Sequence, residues 1–283
     1  MSTTVLERRL ATLESLIDRI DRPAPSWPTP VELAQSLGVT LDDWQRQLLL
    51  STARRVVVRA PRQVGKSMTA SILALFVAVT VDEGLVLVVS PAERQAKELV
   101  RVVRGLAARL GLMTTEREHS IAPSAVSMTK VEFPNGSRVL SVPGSSEATI
   151  RGFSAPSLII VDEASRVSEP TFGAIRPMMV AAPLSRLLLL SSPWVKSGLF
   201  YDAAHDQTGV WERHRVTLDE CPRLSRDFID EERRTLPHWV FSREYLGEFS
   251  DDQTTIFSAE LIASAMDESL EPLFAEDDDA SNS

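Results

Sequence analysis

The residues with the clearest chemical potential lie in a short segment between an apolar run and an apolar helical pattern. Gly65, Lys66 and Ser67 follow the valine-rich run Arg55–Val58 and precede the apolar stretch Ile72–Val81. In such a loop the backbone N–H groups point at phosphates, a lysine reaches the β- and γ-phosphates, and a hydroxyl holds Mg²⁺. We therefore predict a Walker A loop that binds ATP and Mg²⁺, with these roles for Lys66 and Ser67. The predicted loop consists of Ala60, Pro61, Arg62, Gln63, Val64, Gly65, Lys66 and Ser67.

Two carboxylates end a second apolar run. Leu158–Val161 is followed directly by Asp162 and Glu163, and an open α/β sheet binds its ligands at the carboxyl ends of its strands. This pattern is typical of a Walker B motif, in which Asp162 binds Mg²⁺ through water and Glu163 polarises the water that attacks the γ-phosphate. The alternative is that both carboxylates cap the next helix.

Two further polar groups lie beside predicted strands. The run Leu187–Leu190 ends in Ser191, Ser192 and Pro193. Small hydroxyl groups in this place are suited to sensing a γ-phosphate, although a turn or a helix cap would use the same residues. Upstream of the first strand, Gln45 carries an amide that can both donate to and accept from an adenine edge. We predict that Gln45 binds the adenine.

The runs that carry these residues also predict the fold. They lack the polar alternation of half-exposed strands, as expected for central parallel strands that are covered on both faces. The runs are Arg55–Val58, Leu85–Val89, Leu158–Val161 and Leu187–Leu190. An Asn-Gly pair separates the strand-like segments Thr129–Phe133 and Arg138–Val142, which predicts a peripheral hairpin. The predicted fold class is therefore α/β, with a mainly parallel central sheet flanked by helices.

Changes in composition and periodicity divide the chain into four parts. We assign residues 1–35 to an N-terminal helix and an extended connector, and residues 36–210 to the nucleotide-binding core. Residues 211–257 are rich in charge and form a small helical subdomain. Residues 258–283 carry one helical pattern, Ser258–Met266, followed by an acidic tail that we predict to be disordered.

Composition limits the class of protein. The 283 residues include 43% hydrophobic side chains, enough for a sizeable core. Cys221 is the only cysteine, so no intramolecular disulfide and no Cys-x-x-Cys metal site can form, which fits a reducing cytoplasm. The net charge of −9 confines any contact with nucleic acid to a local surface. The most hydrophobic run, Ile72–Val81, is too short to span a bilayer, and we predict no membrane segment.

Taken in order, these motifs resemble the ATPase domain of the large terminase subunit of tailed double-stranded DNA bacteriophages. The residues that carry the resemblance are Trp44-Gln45, Arg62-Gln63-Val64-Gly65-Lys66-Ser67, Ser90-Pro91-Ala92 with Gln95-Ala96, Asp162-Glu163-Ala164 and Ser191-Ser192-Pro193. It spans about Leu41 to Phe249. The most specific element is Arg62-Gln63, because the family is similar to this chain in carrying an arginine inside the loop. The family also lacks the first glycine of the general Walker A pattern, where Ala60 stands here.

The resemblance implies a P-loop NTPase of the ASCE, RecA-like type with a small helical lid subdomain. The lid would combine residues 211–257 with the N-terminal helix. Arg62 would be a cationic group near the γ-phosphate, and Ser191, Ser192 and Pro193 would form the motif that couples hydrolysis to movement. Arg151 occupies the place of an arginine that completes the neighbouring subunit's site in a ring. The alternative for Arg151 is a surface arginine in a loop.

The resemblance also implies partners and a location. The chain would translocate double-stranded DNA into the procapsid through the portal protein, together with the small terminase subunit. It would act as a homo-pentameric ring on the portal in the bacterial host cytoplasm, outside the mature virion. Large terminases normally continue into a metal-dependent nuclease, whereas few residues follow Phe249 here. We therefore expect no DNA cleavage by this chain alone, which is either an isolated ATPase domain or a short protein whose nuclease, if any, is a separate polypeptide.

Two other classes of protein share some of these features. A superfamily 2 helicase-like, DNA-dependent ATPase has a glutamine before the P-loop and a similar Asp-Glu pair. It would need a second RecA-like domain after Trp211, and it usually carries histidine or aspartate where this chain has Ser165. A scaffold without catalysis is the other alternative, against which the intact Lys66 and Glu163 argue.

A predicted helix presents several basic residues, namely Lys97, Arg101, Arg104 and Arg109. They could contact DNA. A solvated basic face is the alternative.

Overall fold

The computed structural model describes residues 27–112, 129–144 and 147–250. The predicted N-terminal helix, the pattern Ser258–Met266 and the acidic tail lie outside these residues. The helices are α1 Pro30–Ser36, α2 Asp43–Leu50, α3 Lys66–Thr80, α4 Glu93–Arg109, α5 Glu147–Arg151, α6 Glu169–Ala181, α7 Gly198–Ala204, α8 Arg226–Thr235 and α9 His238–Glu244. The strands are β1 Arg55–Arg59, β2 Leu85–Ser90, β3 Lys130–Glu132, β4 Arg138–Pro143, β5 Leu158–Asp162, β6 Arg186–Ser191 and β7 Glu212–Arg215.

The seven strands form one sheet in the order β3-β4-β2-β5-β6-β1-β7. All neighbouring pairs are parallel except β3 and β4. The four strands predicted from apolar runs are β1, β2, β5 and β6, and each is buried along most or all of its length. Their aliphatic side chains suit a sheet that is covered on both faces. The predicted, mainly parallel α/β sheet is confirmed.

The predicted hairpin is also present. Strands β3 and β4 pair antiparallel, and the turn between them is closed by the N–H of Phe133 donating to the carbonyl of Ser137 at 2.9 Å. Gly136 lies in the turn at φ 78°, a left-handed conformation that glycine adopts without steric cost. Strand β3 is the edge of the sheet, whereas β4 also pairs with β2. The hairpin therefore extends the central sheet at its periphery.

Alternate residues of each strand face two separate layers of the core. In β1, Val56 and Val58 pack on the side of α1 to α4, whereas Val57 packs on the side of α6 and α7. The apolar stretch Ile72–Val81 supplies most of the buried face of α3, as predicted. Within the described residues, no helix is both long and apolar enough to cross a membrane.

Two features of the fold differ from the sequence-based division. Helix α1 begins inside the predicted connector, with Thr29 and Glu32 forming a capping box, and Leu33 is fully buried in the core. Strand β7 pairs with β1 and so extends the sheet as far as Arg215, beyond residue 210. Helices α8 and α9 follow β7 and pack around a small cluster of their own, formed by Leu218, Ile229 and Phe241.

Candidate nucleotide-binding site

The candidate site lies where three neighbouring parallel strands end. The segment of residues 60–67 follows β1, Asp162 ends β5, and Ser191 ends β6. Strand β6 lies between the other two, with Ser191 in register with Arg59, and Leu190 in register with Asp162. Because the strands are parallel, all three carboxyl ends meet at the same edge of the sheet. The sheet therefore brings the predicted Walker A, Walker B and coupling residues together.

The last residues of the loop have a backbone shape that requires glycine. Gly65 has a φ of 95°, and a Cβ at this position would lie 2.7 Å from Nε2 of Gln45. Any side chain would therefore strain the backbone and collide with Gln45. Helix α3 begins at the next residue, so its first N–H groups face the loop. A helix N-terminus behind a glycine is suited to binding an anion.

Lys66 connects the loop to the end of β6. Its ammonium group donates to Oγ of Ser192 at 3.1 Å, to the carbonyl of Ala60 at 3.2 Å and to the carbonyl of Pro61. Burial lowers the pKa of Lys66 to about 8, while the nearby carboxylates of Glu163 and Asp162 oppose that shift. The lysine therefore stands among the Walker A, Walker B and coupling residues.

Ser67 and Asp162 offer a pair of oxygen ligands. Oγ of Ser67 donates to Oδ2 of Asp162 at 3.1 Å, and the other oxygen of Asp162 accepts from the N–H of Glu163 at 3.0 Å. Burial, followed by the charge of Glu163, raises the pKa of Asp162. A hydroxyl and a carboxylate side by side are the hard ligands that Mg²⁺ prefers, and a cation would offset the cost of the buried charge. The residues present therefore fit Mg²⁺.

Glu163 has a strained backbone at the start of a tight turn. Its φ of 52° and ψ of 40° lie in the left-handed region, which is uncommon for a residue other than glycine. A short 3₁₀ helix, Ala164–Arg166, follows with Glu163 at its N-cap position, but the Glu163 side chain makes no capping hydrogen bond. The N-cap residue of α6 is Ser168, so the Glu163 carboxylate does not act as a side-chain cap of either helix.

The serines after β6 contact both neighbouring loops. Ser192 accepts the hydrogen bond from Lys66. Oγ of Ser165 lies 2.7 Å from Oγ of Ser191 and donates to the carbonyl of Ser192 at 2.9 Å. Pro193 is buried directly after them. The segment that we predicted to couple hydrolysis to movement is thus in contact with the Walker A lysine and with the turn after Glu163.

Arg62 is paired with a residue that the sequence did not single out. Its side chain forms a salt bridge with Glu244 at the end of α9, and its backbone N–H donates to the carbonyl of Glu244 at 3.2 Å. The other carboxylate oxygen of Glu244 accepts from Nε of Arg243 at 3.0 Å. The only available signal was the assignment of residues 211–257, which include Glu244, to the lid subdomain.

The amide of Gln45 is engaged with the protein itself. Its Oε1 accepts from the N–H of Asp42 at 2.9 Å, and its Nε2 lies 3.5 Å from the carbonyl of Val64. The side chain is buried beside Gly65. Arg223, which sequence analysis also missed, contacts Asp42 and Val64 from the outer side of the loop. The structure thus places Gln45 against the loop of residues 60–67, and its contact with adenine stays a prediction.

Arg151 lies apart from this cluster. It ends α5 with its side chain 63% exposed, and its guanidinium is 3.7 Å from the carboxylate of Glu147. Its side chain therefore lies at the surface and pairs within its own helix. This position leaves both the trans-acting role and the surface alternative open.

The four basic residues of α4 that were candidates for DNA contacts have partners within the protein. Lys97 and Arg101 pair with glutamates one turn earlier on the helix. Arg104 and Arg109 donate to backbone carbonyl groups. These contacts favour the alternative of a solvated helix face over a DNA-binding track.

The family model described as terminase large subunit, T4likevirus-type, N-terminal, matches the chain over residues 57–264. The large terminase subunit of Escherichia phage T5 is 31% identical over 214 residues, which cover 72% of this chain and 46% of that relative. The probable large terminase subunit of Enterobacteria phage P7 is 33% identical over 94 residues, which cover 31% of this chain and 19% of the relative. The chain therefore spans less than half the length of these relatives.

Solved structures of large terminases share the fold. The ATPase domain from Thermus phage P74-26 has a TM-score of 0.60 and 23% identity, covering 81% of this chain and 100% of that domain. The HK97 bacteriophage large terminase has a TM-score of 0.61 and 16% identity, covering 75% and 51% of the two chains. The large terminase of a thermophilic bacteriophage, in complex with ATP-γ-S, has a TM-score of 0.59 and 13% identity, covering 74% and 53%. The predicted P-loop NTPase fold is thereby confirmed.

Proposed function

The chain belongs to the terminase large subunit family of bacteriophages, and we propose that it is the ATPase motor that drives double-stranded DNA through a portal into the procapsid. The observation that carries the proposal is the meeting of five groups at one edge of the sheet. These groups are the side chains of Lys66, Ser67, Asp162, Glu163 and Ser192. They come from three separate segments, and each is of the type that phosphoryl transfer from ATP requires.

Each of these residues has a distinct part in hydrolysis. The N–H groups of residues 60–67 and the ammonium of Lys66 bind the phosphates, and Ser67 and Asp162 would hold Mg²⁺. The metal would neutralise charge on the β- and γ-phosphates. Glu163 orients the attacking water and accepts its proton, and Arg62 stabilises charge at the γ-phosphate. Gln45 contacts the adenine, for which its amide must exchange the partners that it has within the protein.

Ser191, Ser192 and Pro193 pass the state of the site to the rest of the protein. Ser192 shares a hydrogen bond with Lys66, so a phosphate that attracts the ammonium changes that bond. Ser165 connects the same segment to the turn after Glu163. Loss of the γ-phosphate should therefore change the hydrogen bonds of Ser192 and, through Ser165, those of Ser191.

The proposed assembly follows the family. Subunits form a homo-pentameric ring on the portal in the host cytoplasm, with the small terminase subunit as a further partner. In the ring, Arg151 reaches the γ-phosphate of the next subunit. Its exposure and its weak pairing with Glu147 leave the guanidinium available for such a contact.

The direct test is ATP hydrolysis with and without double-stranded DNA and purified portal. We expect Mg²⁺-dependent hydrolysis that DNA and portal increase, and its loss in Glu163→Gln. Glu93→Gln, which alters an exposed glutamate paired with Lys97, is the matched control and should retain activity. No hydrolysis by the wild-type chain under any of these conditions would overturn the proposal. ATP-dependent strand separation would favour a helicase instead.

The role of Arg151 is tested by mixing subunits. Arg151→Ala lacks the arginine but keeps its P-loop, whereas Lys66→Ala lacks the P-loop lysine but keeps the arginine. If the arginine acts in the neighbouring site, a mixture of the two inactive variants should recover part of the activity. No recovery at any mixing ratio would contradict the assignment.

A further inference from the structure

The loop of residues 60–67 is contacted on its outer side by Arg223, a residue that lies far along the chain. Arg223 donates from Nη2 to the carbonyl of Val64 at 3.2 Å and to Oδ2 of Asp42 at 2.7 Å. The same carbonyl lies 3.5 Å from Nε2 of Gln45. Two side chains from outside the loop thus converge on the carbonyl that directly precedes Gly65.

Gly65 is where these side chains reach closest to the loop. A Cβ on this residue would lie 2.7 Å from Nε2 of Gln45 and 3.3 Å from Nη2 of Arg223. The absence of a side chain therefore serves two purposes: it permits the left-handed backbone, and it leaves space for both donors. The turn that aims the loop's N–H groups at a phosphate is consequently fixed from its outer face.

The electrostatics of the contact favour a fixed arginine. The side chain of Asp42 is only 5% exposed, and a buried carboxylate is costly without a charged partner. Arg223 supplies that partner while it remains 51% exposed itself. One guanidinium nitrogen, Nη2, binds the carboxylate and the carbonyl at once, and the charge of Arg223 strengthens both hydrogen bonds.

The segment that carries Arg223 is itself well anchored. Thr217 and Glu220 form a capping box at the 3₁₀ helix Leu218–Glu220, and the N–H of Leu224 donates to the carbonyl of Cys221 at 3.1 Å. Cys221 is buried beside Asp42, and burial raises the pKa of its thiol to about 11. Arg223 therefore extends from a hydrogen-bonded turn that also contains the buried Cys221.

We propose that Arg223 is a positioning residue for nucleotide binding, which holds the carbonyl of Val64 so that the loop is already shaped for a diphosphate before the nucleotide arrives. The proposal rests on the proposed function in one respect, namely that residues 60–67 bind ATP. A loop that is ordered in advance loses less conformational freedom on binding, which increases affinity. Since Arg223 acts through the backbone near the β-phosphate site, its effect on ADP and ATP is the same.

The test compares Arg223→Ala with wild-type protein in equilibrium binding of ADP and ATP-γ-S and in steady-state ATP hydrolysis. We expect both dissociation constants to rise about tenfold, the size of effect of one partly exposed, charge-assisted hydrogen bond. The turnover rate at saturating ATP should stay within about twofold, since no reacting atom is touched. Arg223→Lys, which keeps the charge but has a shorter side chain, should give dissociation constants between those of Arg223→Ala and the wild type.

Arg226→Ala is the matched control, because that arginine lies on the same segment and forms an exposed pair with Asp219. Arg226→Ala should leave the dissociation constants for ADP and ATP-γ-S unchanged. A folded Arg223→Ala with wild-type dissociation constants would overturn the proposal, as would a loss of affinity for ATP-γ-S but not for ADP, which would indicate a direct γ-phosphate contact. If Arg223→Ala does not fold, the dissociation constants of Arg223→Lys and Asp42→Asn are measured instead. Wild-type values in both folded variants would overturn the proposal. A wild-type chain that binds no nucleotide would overturn the proposed function as well.

Discussion

Two regions of the molecule meet at the nucleotide loop, and they differ in what they contribute. The ends of β1, β5 and β6 supply buried groups that contact one another, such as Lys66, Asp162 and Ser192. The segment after β7 supplies Arg223 and Glu244, which contact the loop from outside and bind its backbone. In our proposal, the first region carries the chemistry, and the second determines the shape of the loop in which the chemistry occurs.

The two regions are also held in different ways. The strand ends are fixed by a continuous parallel ladder and by two large layers of apolar side chains. The segment after β7 buries Val216 and Cys221 in one of these layers, while α8 and α9 pack around the small cluster of Leu218, Ile229 and Phe241. Regions with few buried apolar contacts open at a lower free energy than the core of a sheet. We therefore expect α8 and α9 to open more readily than the sheet, while the turn that carries Arg223 stays anchored to the core through Cys221.

The largest effect should come from removing the carboxylate at the end of β5. Glu163→Gln keeps the shape of the side chain but cannot accept a proton, so the turnover rate should fall by about 10²–10⁴-fold. Nucleotide dissociation constants, measured on the same samples, should change little. An unchanged turnover rate would contradict the assignment of the chemistry to the strand ends.

A matched pair of core substitutions should separate the two regions by stability. Leu189→Ala removes a fully buried side chain between β1 and β5, and should lower the free energy of unfolding by about 2–5 kcal/mol. Leu218→Ala, in the small cluster, should mainly increase amide hydrogen exchange in residues 217–250. Denaturant unfolding and hydrogen exchange measure the two outcomes. Equal, global destabilisation by both would show that the segment is not a separate cooperative unit.

The smallest effect concerns the contact that joins the two regions. Trp194 follows the proposed coupling residues directly. The guanidinium groups of Arg166 and Arg243 lie 4.1 and 4.4 Å from the centre of its indole ring. A double-mutant cycle of Trp194→Leu with Arg243→Ala should give a coupling energy of about 0.5–1 kcal/mol in thermal or denaturant unfolding. A coupling energy of zero would show that this contact does not stabilise the fold.

The strand-end region could be predicted from the sequence because its signals are local. Each central strand is an apolar run, and the candidate residues Asp162, Glu163, Ser191 and Ser192 stand directly after such runs. Lys66 and Ser67 follow a glycine at the start of an apolar helical pattern, which is an equally local signal. Helix α1 had an equally local signal in Thr29, Pro30 and Glu32, but the surrounding prolines favoured an extended connector. The capping box Asp42-x-x-Gln45 was likewise visible, and it explains why the Gln45 amide has partners within the protein.

The positioning contacts could not be predicted in this way. Arg223 and its partner Asp42 are separated by 181 positions along the chain, and the capping-box pattern that contains Asp42 gives no sign of a contact with Arg223. Glu244 lies on a short helix whose composition gives no indication that it faces Arg62. Such pairs are created when the segment after β7 folds back along the loop, and that path is set by packing rather than by local propensity.

The most direct test of the division between chemistry and positioning is a parallel measurement of ADP affinity and ATP turnover in Glu163→Gln and Arg223→Ala. Glu163→Gln should bind ADP like the wild type but lose turnover. Arg223→Ala should bind ADP about tenfold more weakly yet turn over near the wild-type rate at saturating ATP. The opposite pattern, or equal loss of both properties in both variants, would contradict this division.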